Sequence, residues 1–382
     1  MKQIVIIIII ILSIFIHNNS IRKEIISVGI FSEYGAYPSG WGNEYNEMLK
    51  ILIEELDPFI TVQLLYKQHI KPDVLNNFDV VIHPGGSGDS QSYSLGKSGR
   101  HFLKRFIFRG GGYVGICGGA YLAQYSNNNK FLSLRISQTK LVKDALHWER
   151  GGAIAKVRFT KNGLRYFPEY ETKEFFMHYF QGPILVPVNS PRNKPAYETF
   201  MIFESDIYHK IAAAKGETHG KPFLLKEHFG SGRVVLMTGH PEFTPGHYWM
   251  VPRMIRLAAG ASLYLYNDTF VTNKFTNEVM LTDEWIKKES YLLKVLESRI
   301  SPWRKVQALK KLQRMHSVSV VLYFQELLLS RSVIVRKAVL EAIKYYDYFP
   351  MKYIVHEYCD NEKNWRFQNI CKKVQDHFAN NH

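Results

Sequence analysis

The segment Gly110-Gly111-Gly112-Tyr113-Val114-Gly115-Ile116-Cys117-Gly118-Gly119-Ala120-Tyr121-Leu122-Ala123 constrains this chain more than any other. A short apolar run of strand character stops at a cysteine, and a helix-forming run starts directly after it. A strand that turns straight into a helix strains the residue at the turn, while glycines at 115 and 119 leave room for neighbouring backbone to pass close by. Cys117 is therefore presented at the turn and not packed away.

The surrounding pattern agrees with that turn. Residues 25–31, 60–65, 78–83 and 112–116 read as strands; residues 44–56, 95–108 and 118–124 read as helices. Strands alternating with helices, with apolar runs covered on both faces, predict an α/β fold built on a doubly wound, mostly parallel sheet. From residue 151 the pattern changes to strands joined by turns, at 153–159, 174–180, 196–203, 211–215 and 222–229. Gly230-Ser231-Gly232 then makes a hairpin turn into a last strand at 233–237. A helix over 248–264 closes the domain, which spans 23–268.

Residues 269–282 are polar and weakly patterned and read as a linker, and 283–382 read as all-helical. Ala308-Leu309-Lys310-Lys311-Leu312 recurs in apolar pattern at Val339-Leu340-Glu341-Ala342-Ile343 and at Ile370-Cys371-Lys372-Lys373-Val374, 31 residues apart each time. Helix pairs at such an interval resemble HEAT-type repeats, the alternative being an irregular helical bundle.

At the other end, Met1-Lys2-Gln3 precedes a 13-residue apolar run, Ile4 to Ile16, broken only by Ser13. A membrane-spanning helix needs about 20 apolar residues, so residues 1–22 read as a secretory signal. Bulky Ile14, Phe15 and Ile16 at the cleavage position leave an uncleaved membrane tether as the alternative. Either way the protein is expected to be exported, periplasmic or secreted, with membrane contact only through this segment. The three cysteines then divide into one disulfide, Cys359 with Cys371, and one free thiol, Cys117; the C-terminal pair reads equally well as two buried helix residues.

Lys and Arg exceed Asp and Glu by 49 to 34, which raises the question of a polyanionic partner. The charge is dispersed, with no run of five or six basic residues, and from Thr269 onward the balance is 19 to 12. No specific nucleic-acid partner is expected. His147 and Glu149 make too sparse a set for a metal site. Gly85-Gly86-Ser87-Gly88 lacks the lysine and spacing of a phosphate loop. No metal and no cofactor are expected.

A thiolate nucleophile needs a base, and His240 follows the last strand, with Glu242 placed to orient its imidazole. If the two strands are parallel neighbours, their C-terminal ends face one crevice. The N–H of Gly118 and one from the Pro84-Gly85-Gly86 loop then supply an oxyanion hole. The alternative is an inert core thiol and an ordinary loop histidine.

Gly115-Ile116-Cys117-Gly118-Gly119-Ala120-Tyr121, the Pro84-Gly85-Gly86 loop and His240-Pro241-Glu242 resemble the class I glutamine amidotransferase superfamily. Together with Leu95, Gly110-Gly111-Gly112 and the Gln181-Gly182-Pro183 turn, they are most similar to the domain at the N-terminus of some biotin-protein ligases. The resemblance implies a flavodoxin-like sheet, Cys117 as nucleophile, His240 as base, Glu242 as orienting acid, and Tyr121, Gln181 and Gly182 as walls of the substrate pocket. Glutamine amidotransferases place a glutamine where this chain has Tyr121, so glutamine is not the expected substrate. No biotin-ligase catalytic half accompanies the domain, so biotin transfer is not expected either.

These residues lead to an exported cysteine-dependent hydrolase or acyl transferase acting on an amide, ester or thioester of a small molecule or peptide. The alternative is a non-catalytic ligand-binding or scaffold protein whose helical repeats hold a protein partner.

Overall fold

The computed structural model describes residues 25–37, 43–126, 132–140, 153–169, 174–188, 197–204, 218–244, 247–266, 283–315, 317, 319–346, 351–362 and 364–380. The N-terminal apolar segment, the expected linker 269–282, the strand expected at 211–215, and His147 and Glu149 lie outside them. The strands are β1 (Ile26–Phe31), β2 (Ile60–Leu65), β3 (Val80–His83), β4 (Gly112–Ile116), β5 (Thr139–Lys140), β6 (Ala153–Phe159), β7 (Glu174–Tyr179), β8 (Val186–Pro187), β9 (Tyr197–Phe203), β10 (Pro222–Phe229) and β11 (Gly232–Met237). Nine of them form one sheet in the order β2-β1-β3-β4-β11-β10-β9-β6-β7, and β5 pairs with β8.

The first five strands of that order are all parallel. Numbered along the chain they run 2-1-3-4-5, the doubly wound flavodoxin-like arrangement. From β11 onward every pairing is antiparallel. The hairpin β10–β11 is the hinge between the two halves, because a tight turn can only return the chain antiparallel.

Helices cover both faces of the parallel half. Leu49 and Ile53 of α1 (Glu44–Leu56) and Met254 and Ile255 of the later Met250–Ala259 helix pack on Val28, Ile30, Ile82 and Val114. On the other face, after the short α2 (Pro72–Leu75), Leu95, Leu103 and Ile107 of α3 (Gly88–Phe108) and Leu122 of α4 (Gly118–Ala123) pack on Phe31, Val81, Tyr113 and Leu236. Each such aliphatic side chain contributes about 1.5–3 kcal/mol on burial, so a strand clothed on both faces must be apolar throughout.

Two helix boundaries depart from the sequence reading. α3 begins at Gly88 and not at 95, with Ser87 Oγ accepting the Ser90 N–H at 3.2 Å, and it is broken at Gly96, whose φ is 63°. The polar run 88–94 carries no apolar period, so only its cap betrays it. After α5 (Gly163–Tyr166), α6 (Met250–Ala259) stops five residues short of the expected 264, because Gly260 takes the left-handed conformation that ends helices. Asp57 holds this helix to the end of α1. Its carboxylate accepts two hydrogen bonds from Arg256, at 2.6 and 2.8 Å, and one from the Tyr266 hydroxyl at 2.8 Å.

The C-terminal region is helical: α7 (Asp283–Glu297), α8 (Pro302–Arg314), α9 (Phe324–Leu328), α10 (Val333–Tyr345), α11 (Lys352–Asp360) and α12 (Trp365–Asn380). It has a separate apolar core around Leu309, Phe324, Val339, Val355 and Val374. α8, α10 and α12 pack in succession as one layer, and α7, α9 and α11 each pack against their neighbour in it. Cys359 of α11 is joined to Cys371 of α12, with their Cα atoms 5.4 Å apart. Among the described residues no helix is long and apolar enough to cross a membrane.

Candidate active site

Cys117 stands between the end of β4 and the start of α4 at φ 48°, ψ −100°. A side chain at positive φ is costly, and the surroundings hold it there. Its N–H donates to Met237 O of β11 at 2.9 Å, the Tyr121 N–H returns to Cys117 O at 3.0 Å, and the Gly119 N–H donates to Pro84 O at 3.1 Å. A Cβ on Gly119 would overlap the His83 carbonyl, so the elbow and the Pro84-Gly85-Gly86 loop can meet only through glycine.

β11 lies next to β4 in parallel, and His240 follows its C-terminal end after Thr238 and Gly239. The His240 N–H donates to His178 O at 2.8 Å, and Thr244 Oγ1, which donates to His240 O at 2.7 Å, accepts the His178 N–H at 3.0 Å. The imidazole Nδ1–H donates to Glu242 Oε1 at 2.7 Å, with both side chains buried. The other Glu242 oxygen has no hydrogen-bond partner among the described residues.

Burial disfavours the His240 imidazolium, but the Glu242 carboxylate and the Cys117 sulfur beside it outweigh that and raise its pKa to about 10. Two other buried histidines show the direction in which burial acts. His83 is pushed down to about 4 by burial, against its hydrogen bond to Gln91 Oε1, and His247 falls to about 3. His240 is thus held as the cation of a buried pair.

The structure brings together residues that the sequence did not single out. Tyr45, on α1, donates its hydroxyl to the same Glu242 oxygen at 2.8 Å and accepts the Gly85 N–H. Gly85 is therefore engaged with Tyr45, and a Cβ there would lie 2.8 Å from His240 Cε1. Of the three expected oxyanion donors, Gly86 and Gly118 remain without acceptors among the described residues. The loop is fixed from behind by His83, whose ring stacks on Phe31 and Tyr113. Its Nδ1 is 2.9 Å from Gln91 Oε1, and Gln91 Nε2 donates to Pro84 O at 3.0 Å. No sequence signal marks Tyr45 or Gln91, since each sits on a helix face like any other residue.

The Gln181-Gly182-Pro183 turn lies across the elbow. Cys117 Sγ donates to Phe180 O at 3.4 Å, and Gln181 takes φ 53°. The Tyr179 hydroxyl donates to Gly182 O at 2.6 Å, and that of Tyr121 reaches the same oxygen at 3.5 Å. Cys117 is 4% exposed. Cys359 and Cys371 lie in the helical region and take no part in this site. Among the described residues no group of three metal-binding side chains is present.

Residues 30–133 match the family model described as "Biotin-protein ligase, N terminal". The match spans the Pro84-Gly85-Gly86 loop and the elbow and ends before Gln181 and His240. Among solved structures, the chain is similar to a ThuA-like protein from Bacteroides uniformis, at 13% identity over 62% of this chain and 92% of that one, TM-score 0.43. It is also similar to PurLQS from Thermotoga maritima, at 12% identity over 61% and 95%, TM-score 0.39. A third likeness is to the CTPS glutaminase domain from Trypanosoma brucei, at 11% identity over 63% and 96%, TM-score 0.42. No curated protein sequence matches the chain.

Proposed function

We propose that this protein is an exported cysteine-dependent hydrolase or acyl transferase in which Cys117 attacks an amide, ester or thioester. One observation carries the reading: a cysteine held at positive φ on a strand-to-helix turn, beside a buried histidine whose far nitrogen is bonded to a carboxylate. In the proposed reaction the sulfur adds to the carbonyl carbon, His240 returns a proton to the leaving group, and water or a second nucleophile releases the acyl group. Glu242 keeps the ring oriented, and the amides of Gly86 and Gly118 face the developing oxyanion. Tyr121, Gln181 and Gly182 wall the acyl pocket. The helical layers are proposed to be HEAT-type repeats.

A specific contact favours a second reading. The thiol donates to Phe180 O beneath the Gln181-Gly182-Pro183 turn, as a closed, non-catalytic ligand pocket would arrange it. Incubation with a panel of activated esters, thioesters and peptide amides separates the two. The enzyme reading expects a mass-detectable acyl adduct on Cys117 and turnover lost in Cys117→Ser and His240→Ala. Reversible ligand binding with no adduct and no turnover would establish the second reading and sink the first.

A further inference from the structure

The dispersed basic charge of the C-terminal third is sorted by the fold into one layer. α8, α10 and α12 together carry eleven Lys and Arg against two Asp and Glu, whereas α7, α9 and α11 carry four against seven. Within the basic layer Lys305 and Arg336 turn inward, to Leu296 O and to Tyr358 and Glu362, and Glu341 is exposed beside Lys337, but most of the basic side chains are exposed to solvent. Lys310, Lys311 and Arg314 of α8, Lys344 of α10, and Lys372 and Lys373 of α12 are exposed, while the intervening apolar residues fill the core. α10 lies between α8 and α12, so the three stripes form one surface.

That surface also carries apolar anchors. Trp303 opens α8 and Trp365 opens α12, at 66% and 74% exposure. Val333 opens α10 at the corresponding position and is exposed as well. Two large indoles left in water at the first turns of two helices of one layer, on helices that carry exposed lysines, need an environment that is apolar and anionic together.

We infer that this face rests on an anionic lipid bilayer, its lysines over the headgroups and Trp303 and Trp365 in the interfacial zone. The composition favours lipid over an acidic peptide or nucleic acid. Fixed carboxylates and phosphates are gripped by paired Arg forks, whereas this face is mainly Lys, a mobile point charge on a long apolar stem suited to a fluid array of headgroups. Tryptophan is the residue that settles at the membrane–water boundary. The apolar run Ile4 to Ile16 in the same chain is consistent with a life beside a membrane. The sequence-level expectation that membrane contact is confined to that segment is thereby extended to a second, electrostatic contact.

Flotation of the full chain with neutral phosphatidylcholine vesicles and with vesicles containing about 30% phosphatidylglycerol tests the inference, since a lysine near an anionic surface is worth roughly fivefold in binding. The wild type is expected to prefer the anionic vesicles by about 100-fold or more and to lose that preference as salt is raised. The exposed-site variant Lys310→Gln/Lys311→Gln/Lys372→Gln/Lys373→Gln is expected to lose about 50-fold or more on anionic vesicles while binding neutral ones like the wild type. Brominated lipid is expected to quench wild-type fluorescence more than that of Trp303→Phe/Trp365→Phe. Equal wild-type binding to both vesicles, wild-type-like flotation of the four-lysine variant, or equal quenching would each overturn the inference. Tighter binding of a polyglutamate peptide or duplex RNA than of anionic vesicles through the same four lysines would also overturn it.

Discussion

Replacing Glu242 with Gln tests how the buried pair is held, because the side chain keeps its volume and an oxygen to receive a hydrogen bond while losing its charge. In the wild type, burial opposes the His240 cation, and the Glu242 carboxylate and Cys117 raise its pKa to about 10. His83, buried equally but facing the neutral Gln91, sits at about 4. Glu242 is the largest influence raising His240; if it supplies two thirds of that difference, Glu242→Gln lowers His240 by about four units, or about 5 kcal/mol at 1.36 kcal/mol per unit. The imidazole should then be neutral at pH 7. The sign for stability follows from linkage. The wild-type pKa lies above the ordinary 6.5, so the pair's contribution is complete below pH 6.5 and is lost as pH rises through about 10. A variant with a neutral buried imidazole reverses this and loses stability as pH falls below 6.5. Imidazole NMR titration reads the protonation state directly, and denaturant midpoints at pH 5, 7 and 10 read the linkage. At pH 7, alkylation of Cys117 by iodoacetamide should slow about tenfold, because little imidazolium is left beside the sulfur. A His240 that titrates in the variant as it does in the wild type would refute the assignment of Glu242 as its charge partner.

Tyr45→Phe removes the hydroxyl shared by Glu242 and the Gly85 N–H and leaves both buried groups short of a partner. It should cost about 1–3 kcal/mol in urea unfolding and slow any Cys117-dependent turnover; unchanged values would remove Tyr45 from the site. Gly119→Ala drives a methyl into the His83 carbonyl, and the soluble yield or midpoint should fall by more than the effect of an Ala at Gly220, where nothing lies within 4 Å of an added Cβ. Glu227 is raised to about 7, chiefly by burial, although its carboxylate accepts the Gln138 N–H at 2.7 Å. With the folded pKa above the unfolded one, its favourable term is complete below about pH 4.5 and is lost as pH rises through about 7. Glu227→Gln should therefore be the more stable protein at pH 8, by about 2–3 kcal/mol, with little difference at pH 4.5; a variant less stable at pH 8 would contradict this.

The strands and the elbow were legible because their causes are local. Apolar runs of strand length between turns fixed β1, β2, β4 and β10, and the glycines around Cys117 announced the strained turn that the backbone takes at φ 48°. Residues 30–133, which hold the loop and the elbow, are also the part that matches the biotin-protein ligase N-terminal family. The start of α3 was missed because a capped polar run has no apolar period, and the end of α6 because one left-handed glycine outweighs the helical pattern that continues past it.

What a sequence determines alone is the chemistry each residue can offer and the local conformations it permits: here a cysteine at a strained turn, a histidine and a carboxylate two residues beyond it. The burial of that cysteine under the 181–183 turn is a tertiary outcome, against the expectation that it is presented. Only the tertiary structure decided which distant groups meet. Tyr45 reaches Glu242 across 197 residues, and Arg256 reaches Asp57 across 199, because α1 and α6 cover the same face of the sheet. The charge of the C-terminal helices divides in the same way. Along the chain it is a mild, scattered excess; once alternate helices stack into layers, most of the basic residues fall in one layer and most of the acidic ones in the other. The physical reason is common to both: contacts between distant segments are set by how apolar faces are buried together, and polar partners meet wherever that packing brings them.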